Sequence, residues 1–182
     1  ITYVPTDILC DIFGYQYNFD MDLNQANIVS DNADTRVVPY KYNYETVERV
    51  PAASNQGNLG TCWAFASLTA LESSLMPEER YSFSVDHMSL SNSFNLNQNE
   101  GGDYTMAMAY LLAWQGPVFE ADDPYGDGIT TEGLEAVKHV QEVQIIESKD
   151  FETIKKMIFK YGGVQSSFYA SVLDDNTGNT KY

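Results

Sequence analysis

Basic residues are scarce: 10 Lys and Arg stand against 26 Asp and Glu, a formal charge of −16 over 182 residues. So acidic a surface repels the phosphates of nucleic acid and anionic lipid, and neither is expected as a partner. Its plainest use is solubility in a salty or extracellular medium. Histidine is scarcer still, with His87 and His139 alone, and cysteine is limited to Cys10 and Cys62. Two cysteines cannot build a disulfide scaffold. No apolar run approaches the ~20 residues that cross a bilayer. Residues 1–7 lack the basic start and apolar run of a signal peptide. The first residue is Ile1, not Met, so a mature or trimmed form is expected. There are no internal repeats.

What is present is a globular composition, 43% hydrophobic and 13% aromatic, enough for one substantial core. One stretch organises it. Asn55-Gln56-Gly57-Asn58-Leu59-Gly60 turns rather than repeats, and Cys62 to Met76 then runs without Gly or Pro and with one charge, Glu72. This reads as a glycine loop emptying into a buried helix with a cysteine on its first turn. Free backbone N–H groups and the positive end of the helix dipole meet at such a junction. A thiol there ionises more readily, which makes Cys62 a candidate nucleophile. The alternative for Cys62 is an inert buried thiol. Cys10, inside an apolar run, reads as a packed core thiol.

In chain order, residues 1–36 read as extended or loop-rich structure, too short to build a core alone. Val37 to Val50 alternates Tyr40, Tyr42 and Tyr44 with Lys41 and Asn43, an exposed strand or arm. After the central helix, ended by Pro77, a short helix is expected over Phe83 to Leu90, entered at Ser84 and carrying His87. Another is expected over Asp103 to Gln115, with Asp103 as its cap and Gly116-Pro117 as its stop. Residues 119–131 are irregular. Val137 to Ile146 reads as a weak strand, Phe151 to Tyr161 as a helix capped by Asp150 and stopped by Gly162-Gly163, and Val164 to Leu173 as a strand. Helices first and strands later argue an α+β fold.

The run Gln56-Gly57-Asn58-Leu59-Gly60-Thr61-Cys62-Trp63-Ala64-Phe65-Ala66 resembles the nucleophile segment of papain-like cysteine peptidases, Gln-Gly-x-Cys-Gly-Ser-Cys-Trp-Ala-Phe-Ser. Leu59 and Thr61 depart from it. Other landmarks follow in family order. Phe83-Ser84-Val85-Asp86-His87-Met88 resembles the Leu-Ser-Glu-Gln-x-Leu helix, and Glu100-Gly101-Gly102 the Asn-Gly-Gly of the substrate cleft. Pro124-Tyr125 resembles the Tyr-Pro-Tyr turn, and Gly163-Val164-Gln165-Ser166-Ser167 the Gly-Pro-Val-Ser-Val strand. The resemblance implies a helical domain whose central buried helix carries the nucleophile, and a β-rich domain of which this chain holds the first part. It divides the chain into 1–36, a pro-segment remnant or wrapping arm; 37–131, the helical domain; and 132–182, the start of the β-rich domain. It makes Cys62 the nucleophile and Gln56 the side-chain donor of the oxyanion hole. Gly101, Gly102, Asp103 and Trp63 become substrate-binding positions. The family disulfide beside the nucleophile would join positions that are here Leu59 and about Asn99. Both halves are lost together, as in a bacterial branch.

Such enzymes pair the thiolate with a His oriented by an Asn, roughly 130–150 residues after the Cys. Counted from Cys62, that lies past Tyr182. His87 occupies a structural position on the small helix, and His139 precedes the strand that the family's His follows. The expectation is therefore a secreted or cell-surface cysteine endopeptidase, nicked or truncated, with His and Asn on a second chain from one precursor. No metal or cofactor is implied. The alternative is a catalytically inactive binding or adhesion module on the same fold; a cytosolic aminopeptidase of related fold fits the Cys62 segment less well.

Overall fold

In this computed structural model residues 15–20, 25–30, 42–43 and 48–167 are described. The chain divides into two compact units, Ile1–Lys41 and Tyr42–Tyr182. In the first, β1 (Tyr15–Asp20) pairs antiparallel with β2 (Gln25–Ser30), Tyr15 opposite Ser30 and Asp20 opposite Gln25. The polar run that contains β2 has no sustained period, and main-chain pairing with β1 makes Gln25–Ser30 a strand. Of the expected strands over 37–50 and 164–173, residues 42–43, 48–50 and 164–167 are described and none of them is in a strand; the rest lies outside the described residues.

The second unit is built around α1 (Cys62–Leu75). Ala, Leu, Ser and Thr surround it without a single apolar stripe, and it buries residues on several sides, among them Trp63, Ala64, Ser67, Leu68 and Ser73. It stops where Met76, before Pro77, turns extended. Two shorter helices pack on it. In α2 (Val85–Leu90) the Ser84 hydroxyl accepts the His87 N–H at 3.0 Å. In α3 (Tyr104–Leu112) the Asp103 carboxylate accepts the Thr105 N–H at 2.7 Å. The core is Trp63, Ala64, Leu68, Phe83, Val85, Met88, Met106, Ala107, Tyr110 and Leu111.

Helix α3 ends three residues before the expected Gln115. Trp114 takes a left-handed φ of 56°, and its indole donates to the Val140 carbonyl at 3.0 Å. Residues 137–146, expected as a strand, are irregular, with no strand partner among the described residues. Helix α4 spans Phe151–Tyr161 as the sequence predicts, capped by the Asp150 carboxylate and ended by Gly162 at φ 115°. A Cβ at Gly162 would stand 2.9 Å from the Ser73 backbone, so only glycine lets this turn lie on α1. Gln165 then bonds along α1, its Oε1 2.6 Å from the Ser67 hydroxyl and its amide donating to the Trp63 carbonyl at 3.3 Å.

Candidate active site

Cys62 is the first residue of α1, and its free thiol is exposed. The first-turn N–H groups of Ala64 and Phe65 are spent on the Thr61 carbonyl, at 3.0 and 3.1 Å. The Cys62 N–H and thiol make no hydrogen bond among the described residues, so the Cys62 N–H remains as a backbone donor beside the sulfur. Thr61 is fully buried and caps nothing with its side chain. Its hydroxyl meets the Tyr125 hydroxyl at 2.6 Å instead.

Gln56 opens the loop that Cys62 closes. One N–H of its side-chain amide goes to the Leu59 carbonyl at 2.8 Å, and its own carbonyl accepts the Tyr125 hydroxyl at 2.8 Å. The amide's second N–H remains for a ligand. One phenol thus holds both ends of the 56–61 loop. The Tyr125 ring stands edge-on to Phe65 at 4.8 Å, on the next turn of α1.

Gly101 and Gly102 follow a short 3₁₀ turn, Gln98–Glu100, closed by the Asn97 and Glu100 side chains in a reciprocal cap. The Gln98 carbonyl accepts the Gly60 N–H at 2.8 Å, and a Cβ at Gly60 would lie 2.8 Å from the Gly101 nitrogen. The nucleophile loop and the Gly-Gly segment are therefore in backbone contact. A Cβ at Gly102 would fall 2.6 Å from Trp63 Cε2 and 2.8 Å from Met106 Sδ. The Trp63 indole, 5% exposed, thus backs the glycine pair from inside. The exposed Asp103 spends one oxygen on Thr105, whose hydroxyl and N–H hold its carboxyl below the usual carboxylate range.

Behind this wall lies Asp86, fully buried. Its carboxylate accepts Gln98 Nε2 at 2.6 Å and the Gly126 N–H at 2.9 Å. Asp86 therefore ties the turn that touches Gly60 to the loop that carries Tyr125. The sequence marked Tyr125 as part of a turn and Thr61 as a departure. It carried no sign that the two meet, since 64 residues separate them.

Neither histidine hydrogen-bonds the thiol. His87 is buried, its Nδ1 2.6 Å from the Tyr110 hydroxyl, and burial lowers its pKa against the pull of Asp123. The His139 ring lies 4.7 Å from that of Trp114. No group of acidic, His or Cys side chains suited to a metal ion occurs among the described residues. No helix among them is long and apolar enough to cross a membrane.

A family model described as papain family cysteine protease matches residues 38–175. A cathepsin L-like proteinase of Fasciola hepatica is 31% identical over 127 residues, which is 66% of this chain and 38% of that protein. Ananain of Ananas comosus is 26% identical over 124 residues, covering 66% and 36%. Among solved structures, the clostridial cysteine protease Cwp84 after propeptide cleavage is 28% identical with a TM-score of 0.54. That alignment covers 66% of this chain and 34% of the other. The chain spans less than half the length of these relatives.

Proposed function

The chain belongs to the papain family of cysteine proteases, its helices α1 to α3 being the helical part of that α+β fold, and on this premise we propose that it forms the nucleophile-bearing part of a cysteine endopeptidase. The observation that carries the reading is the exposed, free Cys62 thiol at the start of α1, closing the loop that Gln56 opens. The Cys62 sulfur, as thiolate, attacks the carbonyl carbon of a peptide bond. Negative charge moves onto the carbonyl oxygen, where the Cys62 N–H and the free N–H of Gln56 receive it. Collapse breaks the C–N bond. The amine leaves with a proton from the base and a thioester remains. Water then cleaves the thioester, releasing the acid and regenerating the thiol. Gly101 and Gly102 let an extended substrate backbone approach. Trp63 supports them from behind, and Asp103 stands at their edge.

The base and its orienting Asn come from polypeptide outside residues 1–182, either a continuation of this chain or a second chain cut from one precursor. Supporting this, the sequence holds two histidines, and His87 and His139 are engaged with Tyr110 and Trp114. Residues 1–36 serve as a pro-segment remnant or wrapping arm, residues 37–131 as the helical domain and residues 132–182 as the start of the β-rich one. A secreted or cell-surface setting is supported by the charge of −16 and by similarity to Cwp84, a surface-layer-associated protein of Clostridium difficile. The test is labelling of the natural full-length protein with a peptidyl epoxide, followed by peptide mapping. An adduct on Cys62 and not on Cys10, with loss of peptide cleavage, is expected. An unlabelled Cys62 in the folded protein would overturn the reading in favour of an inactive binding module.

A further inference from the structure

The geometry points to Tyr125 as a positioning residue for the oxyanion hole, acting through its hydroxyl on both ends of the nucleophile loop; this inference rests on the proposed peptidase reading. A carbonyl can only accept, so the phenol proton must go to Gln56 O, 2.8 Å away. The Thr61 hydroxyl, 2.6 Å from the same oxygen, must then donate to it. The result is a directed chain, Thr61 O–H to Tyr125 O–H to Gln56 C=O, and such chains polarise one another. It joins the backbone of the residue that offers the side-chain donor to the residue before the backbone donor. The two groups that must converge on one oxygen are thereby held to a common reference point.

Nothing else among the described residues makes this link. The Gln56 amide bonds only within its own loop, and the Gly60 N–H is held from the opposite side by Gln98. Tyr125 itself is fixed at three places: its ring on Phe65, its N–H on Glu120 Oε1 at 2.9 Å, and its hydroxyl on the loop. The phenol is a rigid strut between α1 and the 56–61 loop. It touches no reacting atom, so its effect must run through Gln56.

The experiment uses the natural full-length protein, with Tyr125→Phe, Thr61→Val, Gln56→Ala and the double variant Gln56→Ala/Tyr125→Phe. Five quantities are measured: kcat and KM on a peptide amide, inhibition by a peptide aldehyde, Cys62 alkylation by iodoacetamide, and Tm. Tyr125→Phe should lower kcat about tenfold with KM within about twofold, since the hydrogen bond lost acts on a donor whose removal costs roughly a hundredfold. The aldehyde, whose adduct needs the oxyanion hole, should weaken in parallel. Alkylation, which forms no oxyanion, should keep its rate. In the Gln56→Ala background Tyr125→Phe should add less than about a twofold further loss. Thr61→Val, which leaves the Tyr125 ring in place, should reproduce part of the effect and stands in if Tyr125→Phe fails to fold. An active wild type with kcat unchanged in both Tyr125→Phe and Thr61→Val overturns the inference alone. So does a fall of kcat and alkylation together, or a full tenfold effect persisting without Gln56. A wild type inert to both peptide and epoxide overturns the peptidase reading and this inference with it.

Discussion

Gly60→Ala tests the contact between the nucleophile loop and the cleft wall. The added Cβ would stand 2.8 Å from the Gly101 nitrogen, 2.9 Å from its Cα and 3.0 Å from the Gln98 oxygen. All three are backbone atoms, so no side chain can swing away. Restoring ordinary contact needs the two segments to part by about 0.6 Å, an overpacking strain of about 1–3 kcal/mol. The Gly60 N–H to Gln98 bond, now 2.8 Å, stretches with it and costs about 1 kcal/mol more. A displacement approaching 1 Å between nucleophile and substrate wall is worth up to about a hundredfold in rate. Gly57→Ala is the control. Gly57 has φ 61° with no atom within 4 Å of its missing Cβ, so alanine there costs about 1–2 kcal/mol of backbone strain and moves nothing at Gly101. Denaturant unfolding and kcat/KM of the full-length variants should separate the two. Gly60→Ala loses about 2–4 kcal/mol and one to two decades of activity, whereas Gly57→Ala loses stability with activity within a few-fold. Equal activity in both variants would refute the reasoning.

Two further outcomes follow from buried carboxylates. Glu72 and Glu120 line one cavity of about 300 Å³ beside α1. Burial raises the Glu72 pKa, opposed by the Phe83 N–H at 2.9 Å and reinforced by the charge of Glu120. A carboxyl raised above its unfolded value gives stability that is complete below that value and is lost as pH rises through the folded one. Glu72→Gln keeps an acceptor for Phe83. It should therefore be more stable than wild type at pH 7, with the difference vanishing near pH 4 in urea titrations at a series of pH values. Asp86→Ala should lose about 2–4 kcal/mol in the same assay, because Gly126 N–H and the Gln98 amide lose a buried acceptor. It should also lower kcat/KM, because Gln98 holds Gly60.

What was legible in the sequence is what the local chain dictates. The start of α1 at Cys62, the caps at Ser84, Asp103 and Asp150 and the stop at Gly162 each follow from one or two residues acting on their own backbone. The misses are tertiary. Helix α3 ends early because Trp114 turns to reach Val140, and residues 137–146 alternate without a strand to pair with. The candidate site divides the same way. Cys62, Gln56 and the glycine pair are visible as a motif. The roles of Thr61, Asp86 and Tyr125 exist only once residues 40 to 69 positions apart are brought together.

The absent disulfide shows what such distant contacts accomplish. In the family it joins the nucleophile loop to the segment before Gly-Gly, a loop whose closure is worth about 2–4 kcal/mol. Here the corresponding positions are Leu59 and about Asn99, and each is flanked by the residue that replaces the bond. Gly60 N–H meets the Gln98 carbonyl at 2.8 Å, and Gly60 and Gly101 pack backbone on backbone. Gln98 is anchored in turn by Asp86 and by the Ser89 hydroxyl at 2.8 Å. The cross-link is thus made by one hydrogen bond, one close approach and one buried carboxylate, all dependent on packing. It is insensitive to the redox poise of the medium. It also explains why glycine is needed at 60: a Cβ there would force apart the segments that the disulfide otherwise holds.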